Sequence, residues 1–208
     1  MGLTGVYWKF ASGLLVALAL STGPAEAAGK YGQRFMRTTG ITAPPIGHVR
    51  FCESNRGECR SHTAQAKVMT LTRARWQELL SINDDINRRI EPVTDRDLYN
   101  VDELWTYPKR KGDCEDYVLL KRRELIQRGW PVGALLITVV RDQNGDGHAV
   151  LTARTDRGEF ILDNQVSAVL PWNETDYRFI KRQSETDEVA WKNISDTRVW
   201  SVGSLAKR

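Results

Sequence analysis

The chain has 208 residues, 41% of them hydrophobic, and 30 Lys and Arg against 26 Asp and Glu give a formal net charge of +4. That is enough apolar material for one well-buried domain. The basic excess is too mild and scattered for a nucleic-acid binder: Lys109-Arg110-Lys111 and Lys121-Arg122-Arg123, the densest runs, lie beside acidic residues and form no unopposed stripe.

Near the N-terminus, Lys9, the apolar run Leu14 to Leu20 and Ala25-Glu26-Ala27 supply the charged, apolar and small-residue parts of an export signal. Residues 1–27 are therefore expected to be a signal peptide, with an uncleaved anchor as the alternative. No later segment is apolar for the roughly 20 residues that a membrane span needs, so no stable membrane insertion is expected after cleavage. In a Gram-negative cell the mature chain would be periplasmic.

Residues 28–50 carry Gly40, Pro44, Pro45 and Gly47 without clear periodicity and read as an extended N-terminal arm. Residues 51–208 read as the functional domain. Its three cysteines divide unevenly. Cys52 and Cys59 sit close together in a polar loop, and an oxidising compartment favours joining them. Zinc held by Cys52, Cys59 and His62 is the weaker alternative, because a fourth ligand is missing. Pairing leaves Cys114 single, either buried and inert or reactive for a purpose.

Trp76, Leu79, Leu80, Ile86 and Ile90 recur at helical spacing over 72–90, and Pro92 stops the run. Residues 92–111 read as a loop carrying Trp105 and Pro108. Asp113 is a natural N-cap for a helix from Cys114 to Arg128, with Gly129 and Pro131 as its stop. The period then changes. Ala134 to Val140, His148 to Arg154 and Glu159 to Asp163 read as strands, with weaker strands at 177–181 and 198–202. Helices followed by an antiparallel sheet make an α+β fold.

The connection Asp142-Gln143-Asn144-Gly145-Asp146-Gly147 matches the first half of an EF-hand loop, but the twelfth position is Ala153 where a bidentate Glu belongs. A polar hairpin loop is the better reading.

Cys114 at a helix start, followed by His148 and Asp163 on later strands, has the order of a Cys-His-Asp catalytic site. Unpaired N–H groups and the dipole at a helix N-terminus favour a thiolate. A His can take the thiol proton, and an Asp can orient the ring. Hairpin parity supports the pair. A two- or four-residue turn within 155–158 pairs Arg154 with Glu159, which sets Asp163 opposite Val150 and diagonal to His148, about 7–8 Å away at the backbone. A three-residue turn would reverse the parity. The Cys114 N–H, at the helix start, is the expected oxyanion donor. Asp113, Glu115 and Asp116 crowd the thiol with negative charge and should raise its pKa, unless they cap the helix or bind a cation such as calcium. The plain alternatives are a small core cysteine on the face of Val118 and Leu125, a hydrogen-bonded strand histidine and a turn aspartate.

Gly112-Asp113-Cys114-Glu115-Asp116-Tyr117 with Lys121 resembles the nucleophile motif of the bacterial transglutaminase-like cysteine peptidases. Gly147-His148-Ala149-Val150-Leu151 and Leu162-Asp163-Asn164 resemble that family's His and Asp motifs. Phe51-Cys52 with Cys59, the segment Asn83 to Asn87, and Trp105 before Pro108 fit as well, so the resemblance runs from about Phe51 through Tyr177. It implies a papain-like, transglutaminase-like fold with Cys114 as nucleophile, His148 as base and Asp163 as orienter. It also implies calcium at Asp113 and Glu115, no organic cofactor, and a protein substrate, for which a surface adhesin is the candidate. A regulatory partner is not legible. The competing functions are acyl transfer to an amine, a cell-wall peptidase, and a non-catalytic, calcium-responsive binding module.

Overall fold

The computed structural model describes residues 1–2, 33–59 and 68–198. The expected export signal, His62 and positions 199–202 of the last expected strand lie outside them. Contacts divide the chain into Met1–Gly32 and Gln33–Arg208, and the second unit carries every element below. No helix among the described residues is long and apolar enough to cross a membrane.

Part of the stretch read as an arm is regular: Thr38–Thr42 forms strand β1 and Ile46–Ser54 forms helix α1. β1 has no local signal because it is a mostly exposed edge strand whose partner lies about 150 residues away in sequence. Helix α1 follows Pro44-Pro45 and buries Gly47, His48 and Phe51. At its end Cys52 and Cys59 are joined by a disulfide.

Helix α2, Arg73–Arg89, starts where Thr72 accepts a hydrogen bond from Arg75 N–H and buries Leu79, Ile82, Asn83 and Ile86. The 92–111 segment is not all loop. Short strands β2 (Glu91–Pro92) and β3 (Lys111–Gly112) pair in parallel, and between them Thr94 caps a single helical turn, α3, Asp95–Tyr99. Helix α4 spans Cys114–Gln127. It ends at Gly129, whose φ of +86° lies in the left-handed region that glycine enters without a Cβ clash.

Six further strands follow: β4 (Leu135–Arg141), β5 (Gly147–Thr155), β6 (Gly158–Leu162), β7 (Leu170–Pro171), β8 (Arg178–Gln183) and β9 (Trp191–Ile194). With β1 they form a seven-stranded sheet in the order β1-β9-β8-β4-β5-β6-β7, every neighbour antiparallel. The α+β architecture is the expected one. Both sheet faces are covered. Ile137, Leu151 and Leu162 join the helices' Leu79, Ile86 and Leu125 in one core, and Val140, Val150 and Ile161 join Trp172, Tyr177 and Phe179 in the other. Burial on both sides explains why 134–140 reads as a continuous apolar run. The 142–147 connection is the polar β4–β5 hairpin loop, with Asp142 Oδ1 accepting from the N–H groups of Asn144 and Asp146.

His48 sets a testable pH dependence. It is 2% exposed, edge-on to Trp105 and Trp191, and its pKa is lowered from 6.5 to about 4, first by burial and then by Arg122. Between those values the unfolded chain takes a proton that the folded chain refuses. This contribution is therefore full above 6.5 and lost as pH falls toward 4, by about 3 kcal/mol in all. Urea unfolding of His48→Gln should lose about that much less stability than wild type between neutral and acid pH. Equal losses in the two proteins would contradict the assignment.

Candidate active site

The start of α4 is built by a reciprocal cap. Asp113 Oδ1 accepts from Cys114 N–H at 2.7 Å, and Asp116 Oδ2 accepts from Asp113 N–H at 3.4 Å. Asp116 is fully buried, and its Oδ1 also accepts from Thr106 N–H at 2.8 Å. Gly112 makes room for this, since a Cβ there would lie 2.8 Å from Asp116 Oδ2. The cap fixes Cys114 as the first helical residue and spends its N–H on Asp113, so the expected oxyanion donor is engaged elsewhere.

The β5–β6 turn has two residues, Asp156 and Arg157, and Arg154 pairs with Glu159. Its parity brings His148 and Asp163 to one side. His148 Nε2 lies 2.8 Å from Asp163 Oδ1, and both side chains are at most 2% exposed. Tyr177 donates its hydroxyl to Asp163 Oδ2, and Gln165 N–H donates to Oδ1 at 3.0 Å. Burial works against the Asp163 charge, but the His148 hydrogen bond and charge, Tyr177 and Gln165 together hold its carboxyl below the ordinary range. With Asp163 accepting from Nε2–H, the neutral ring keeps its lone pair on Nδ1, which the Gln165 side-chain amide approaches at 3.4 Å.

Cys114 lies against the start of β5, at the residue next in sequence to His148. The register pairs Leu151 with Leu162, the last residue of β6, so residues 147–149 run past their neighbour. The backbone of Ala149, one residue after His148, lies close enough to the Cys114 sulfur to favour its thiolate. The thiol's side-chain hydrogen bond goes to Glu115 Oε2 at 3.3 Å, not to His148. Burial pushes the thiol pKa well up, Glu115 and Asp113 push it further, and the Ala149 backbone opposes them. Glu115 is itself raised to about 8 by burial with Asp113 adding, and Asp116 to about 7, chiefly by burial. The charge conflict read from the sequence is present in the folded chain.

The same crowding is suited to a hard cation. Ligand atoms of Asp113, Cys114 and Glu115 lie within 4.8 Å of one another. Asp95 adjoins Asp113 through its backbone: its N–H reaches Asp113 Oδ2 at 3.4 Å, while its own buried Oδ1 has no hydrogen-bond partner among the described residues. The carboxylate oxygens of Asp113 and Glu115, held together, are hard ligands of the kind calcium takes. Asp95, Tyr177 and Gln165 were not foreseen, because loop and sheet-edge contacts bring them in without a local pattern. Beside the His148–Asp163 pair a cleft opens, lined by Val166, Ala168 and Leu170 with Glu174 and Asp176.

The model of the family described as bacterial transglutaminase-like cysteine proteinase matches residues 38–199. No curated protein matches the chain. Among solved structures, calcium-bound LapG of Legionella pneumophila is 24% identical, over 62% of this chain and 74% of that one, with a TM-score of 0.49. The EGTA-treated form of the same protein is 23% identical over 60% and 69%, with a TM-score of 0.48. The family match takes in the helix that presents Cys114, the hairpin that joins His148 to Asp163 and the sheet beneath them, and the chain belongs to the bacterial transglutaminase-like cysteine proteinases.

Proposed function

We propose that this transglutaminase-like cysteine peptidase is exported to the periplasm and cleaves a protein substrate with Cys114 as nucleophile, His148 as general base and Asp163 as orienter. The observation that carries the reading is the buried 2.8 Å His148–Asp163 hydrogen bond, which leaves the lone pair of the neutral ring on Nδ1; the next residue in the chain, Ala149, has its backbone close to the Cys114 sulfur. His148 Nδ1 takes the thiol proton, and the sulfur attacks the substrate carbonyl carbon. As the C–N bond breaks, the imidazolium returns the proton to the leaving amine and a thioester remains. Water, deprotonated by the same nitrogen, cleaves the C–S bond to give a carboxylic acid and the thiol. Asp163 stays ionised and stabilises the imidazolium. A surface adhesin is the substrate class the family resemblance implies.

The experiment is digestion of a peptide library with product sequencing by mass spectrometry, with a labelled amine present. New termini that require both Cys114 and His148 are expected. Cleavage that survives Cys114→Ala, or that is lost there but retained in His148→Ala, would overturn the assignment. Amine incorporation exceeding hydrolysis would identify an acyl transferase.

Asp113 and Glu115 are the residues proposed to hold calcium. Calcium bound there supplies positive charge that offsets the carboxylates raising the thiol. Binding by the folded state alone stabilises it by about 2.7 kcal/mol at a hundredfold excess over Kd. Calcium should therefore raise Tm by several degrees, and Asp113→Asn or Glu115→Gln should remove most of the rise. A Tm indifferent to calcium and chelator would contradict the site.

A further inference from the structure

Beneath the site, a buried polar contact ties three elements together. Lys121 lies seven residues after Cys114 on α4, so two turns place it on the same helix face, about 10 Å further along the axis. Its Nζ is fully buried and donates to Asn83 Oδ1 at 2.8 Å. The same oxygen accepts the backbone N–H of Asp163 at 3.1 Å. One turn on, Asn87 donates to the Asp163 carbonyl at 2.7 Å. Both backbone polar groups of Asp163 are thus held by side chains of α2, and Asn83 in turn is held by the helix that carries the thiol and, through its own amide, by the Ser167 carbonyl at 2.9 Å.

Asp163 follows the last residue of β6, so the strand ladder does not fix its position. Its carboxylate must nevertheless stay within hydrogen-bonding distance of a ring on another strand. We propose that Asn83, anchored by Lys121, is a positioning residue: it sets the Asp163 backbone so that the carboxylate stays on His148 Nε2. The alternative use of such a buried lysine, a charge partner for a carboxylate, is not the one its nearest contact serves, since that contact is an amide oxygen. Burial lowers the Lys121 pKa to about 7, with Asp163 opposing. A lysine without its charge still donates to Asn83, so the clasp does not depend on ionisation.

The proposal rests on the Cys114–His148–Asp163 reading, and two readouts keep their failures apart. The first is the low-field proton resonance of the His148 Nε2–H in the full chain, which reports the His148–Asp163 bond whether or not the enzyme turns over. The second is the iodoacetamide alkylation rate of Cys114 at mildly acid pH with calcium present. Asn83→Ala is expected to broaden or shift the resonance and to slow alkylation about tenfold, corresponding to about one pKa unit of lost thiolate. Lys121→Met, which leaves the Asn83 oxygen on Asp163 but removes its anchor, should move both readouts the same way by less, and it carries the test if Asn83→Ala does not fold. Leu79→Ala, a buried change on α2 that touches stability alone, should move neither. Wild-type behaviour of both readouts in folded Asn83→Ala and Lys121→Met would overturn the positioning role. Slow wild-type alkylation alongside an intact resonance would overturn the catalytic reading instead.

Discussion

His148→Ala should lower kcat/KM for any peptide the wild type cleaves by about 10³-fold, with kcat carrying the loss, because a positioned general base contributes about 10²–10⁴-fold. In the proposed mechanism the ring takes the thiol proton: Nε2 is committed to Asp163, and Nδ1, which the Gln165 amide approaches at 3.4 Å, carries the lone pair. The thiol cannot ionise easily without it, since burial, Glu115 and Asp113 all raise its pKa. Asp163→Asn tests the other half of the pair. An amide there can present N–H to Nε2 and favour the wrong tautomer, while Tyr177 still holds the neighbouring atom. A loss of the same order is expected, with KM little changed. Less than a tenfold effect in either variant would show that the pair is a buried structural contact. Steady-state rates on one identified peptide, with unfolding curves run alongside, decide between the two.

Glu159→Ala should destabilise the protein by about 3–5 kcal/mol, the cost of leaving a buried charge without its partner. Glu159 is 1% exposed. Its Oε1 accepts from Arg182 Nη1 at 2.6 Å and Arg154 Nε at 2.9 Å, and its Oε2 accepts the Met36 N–H at 2.8 Å. Arg182, itself 2% exposed, already has one buried nitrogen without a hydrogen-bond partner among the described residues. Removing Glu159 strands that guanidinium in the sheet and releases the segment before β1. Denaturant unfolding should show the drop, and Glu159→Leu combined with Arg182→Met should recover much of it by removing both charges. A single-variant loss below about 1 kcal/mol would mean that water reaches the cluster.

The parts of this fold that were legible in the sequence are those whose cause is local. Asp113 and Gly129 mark helix ends because caps and left-handed turns act within a few residues. The His148–Asp163 contact was legible for a related reason: parity in a tight hairpin is fixed by turn length alone. β1 was not, since an exposed edge strand with Gly40 gains its identity only from β9. Nor was Asp95, in a one-turn helix within a stretch that reads as loop, although its backbone N–H reaches Asp113. The use of the Cys114 N–H was misjudged because a side-chain cap competes with a substrate oxygen for the same donor, and the sequence does not say which is nearer. The Asn83–Lys121 clasp joins residues 38 apart through a third element 80 residues away. Its residues fit the family motifs, yet no spacing rule reveals what they touch.

The most direct test is the iodoacetamide alkylation rate of the native, oxidised protein against pH, read by intact mass, with calcium and with chelator. The disulfide leaves Cys114 as the free thiol. The account predicts a single label whose rate rises below neutral pH when calcium is present, an upward shift of that limb with chelator, and loss of the fast limb in His148→Ala. A thiol that stays unlabelled until the protein is denatured would mean that Cys114 is a buried structural residue, and the catalytic reading would fall with it.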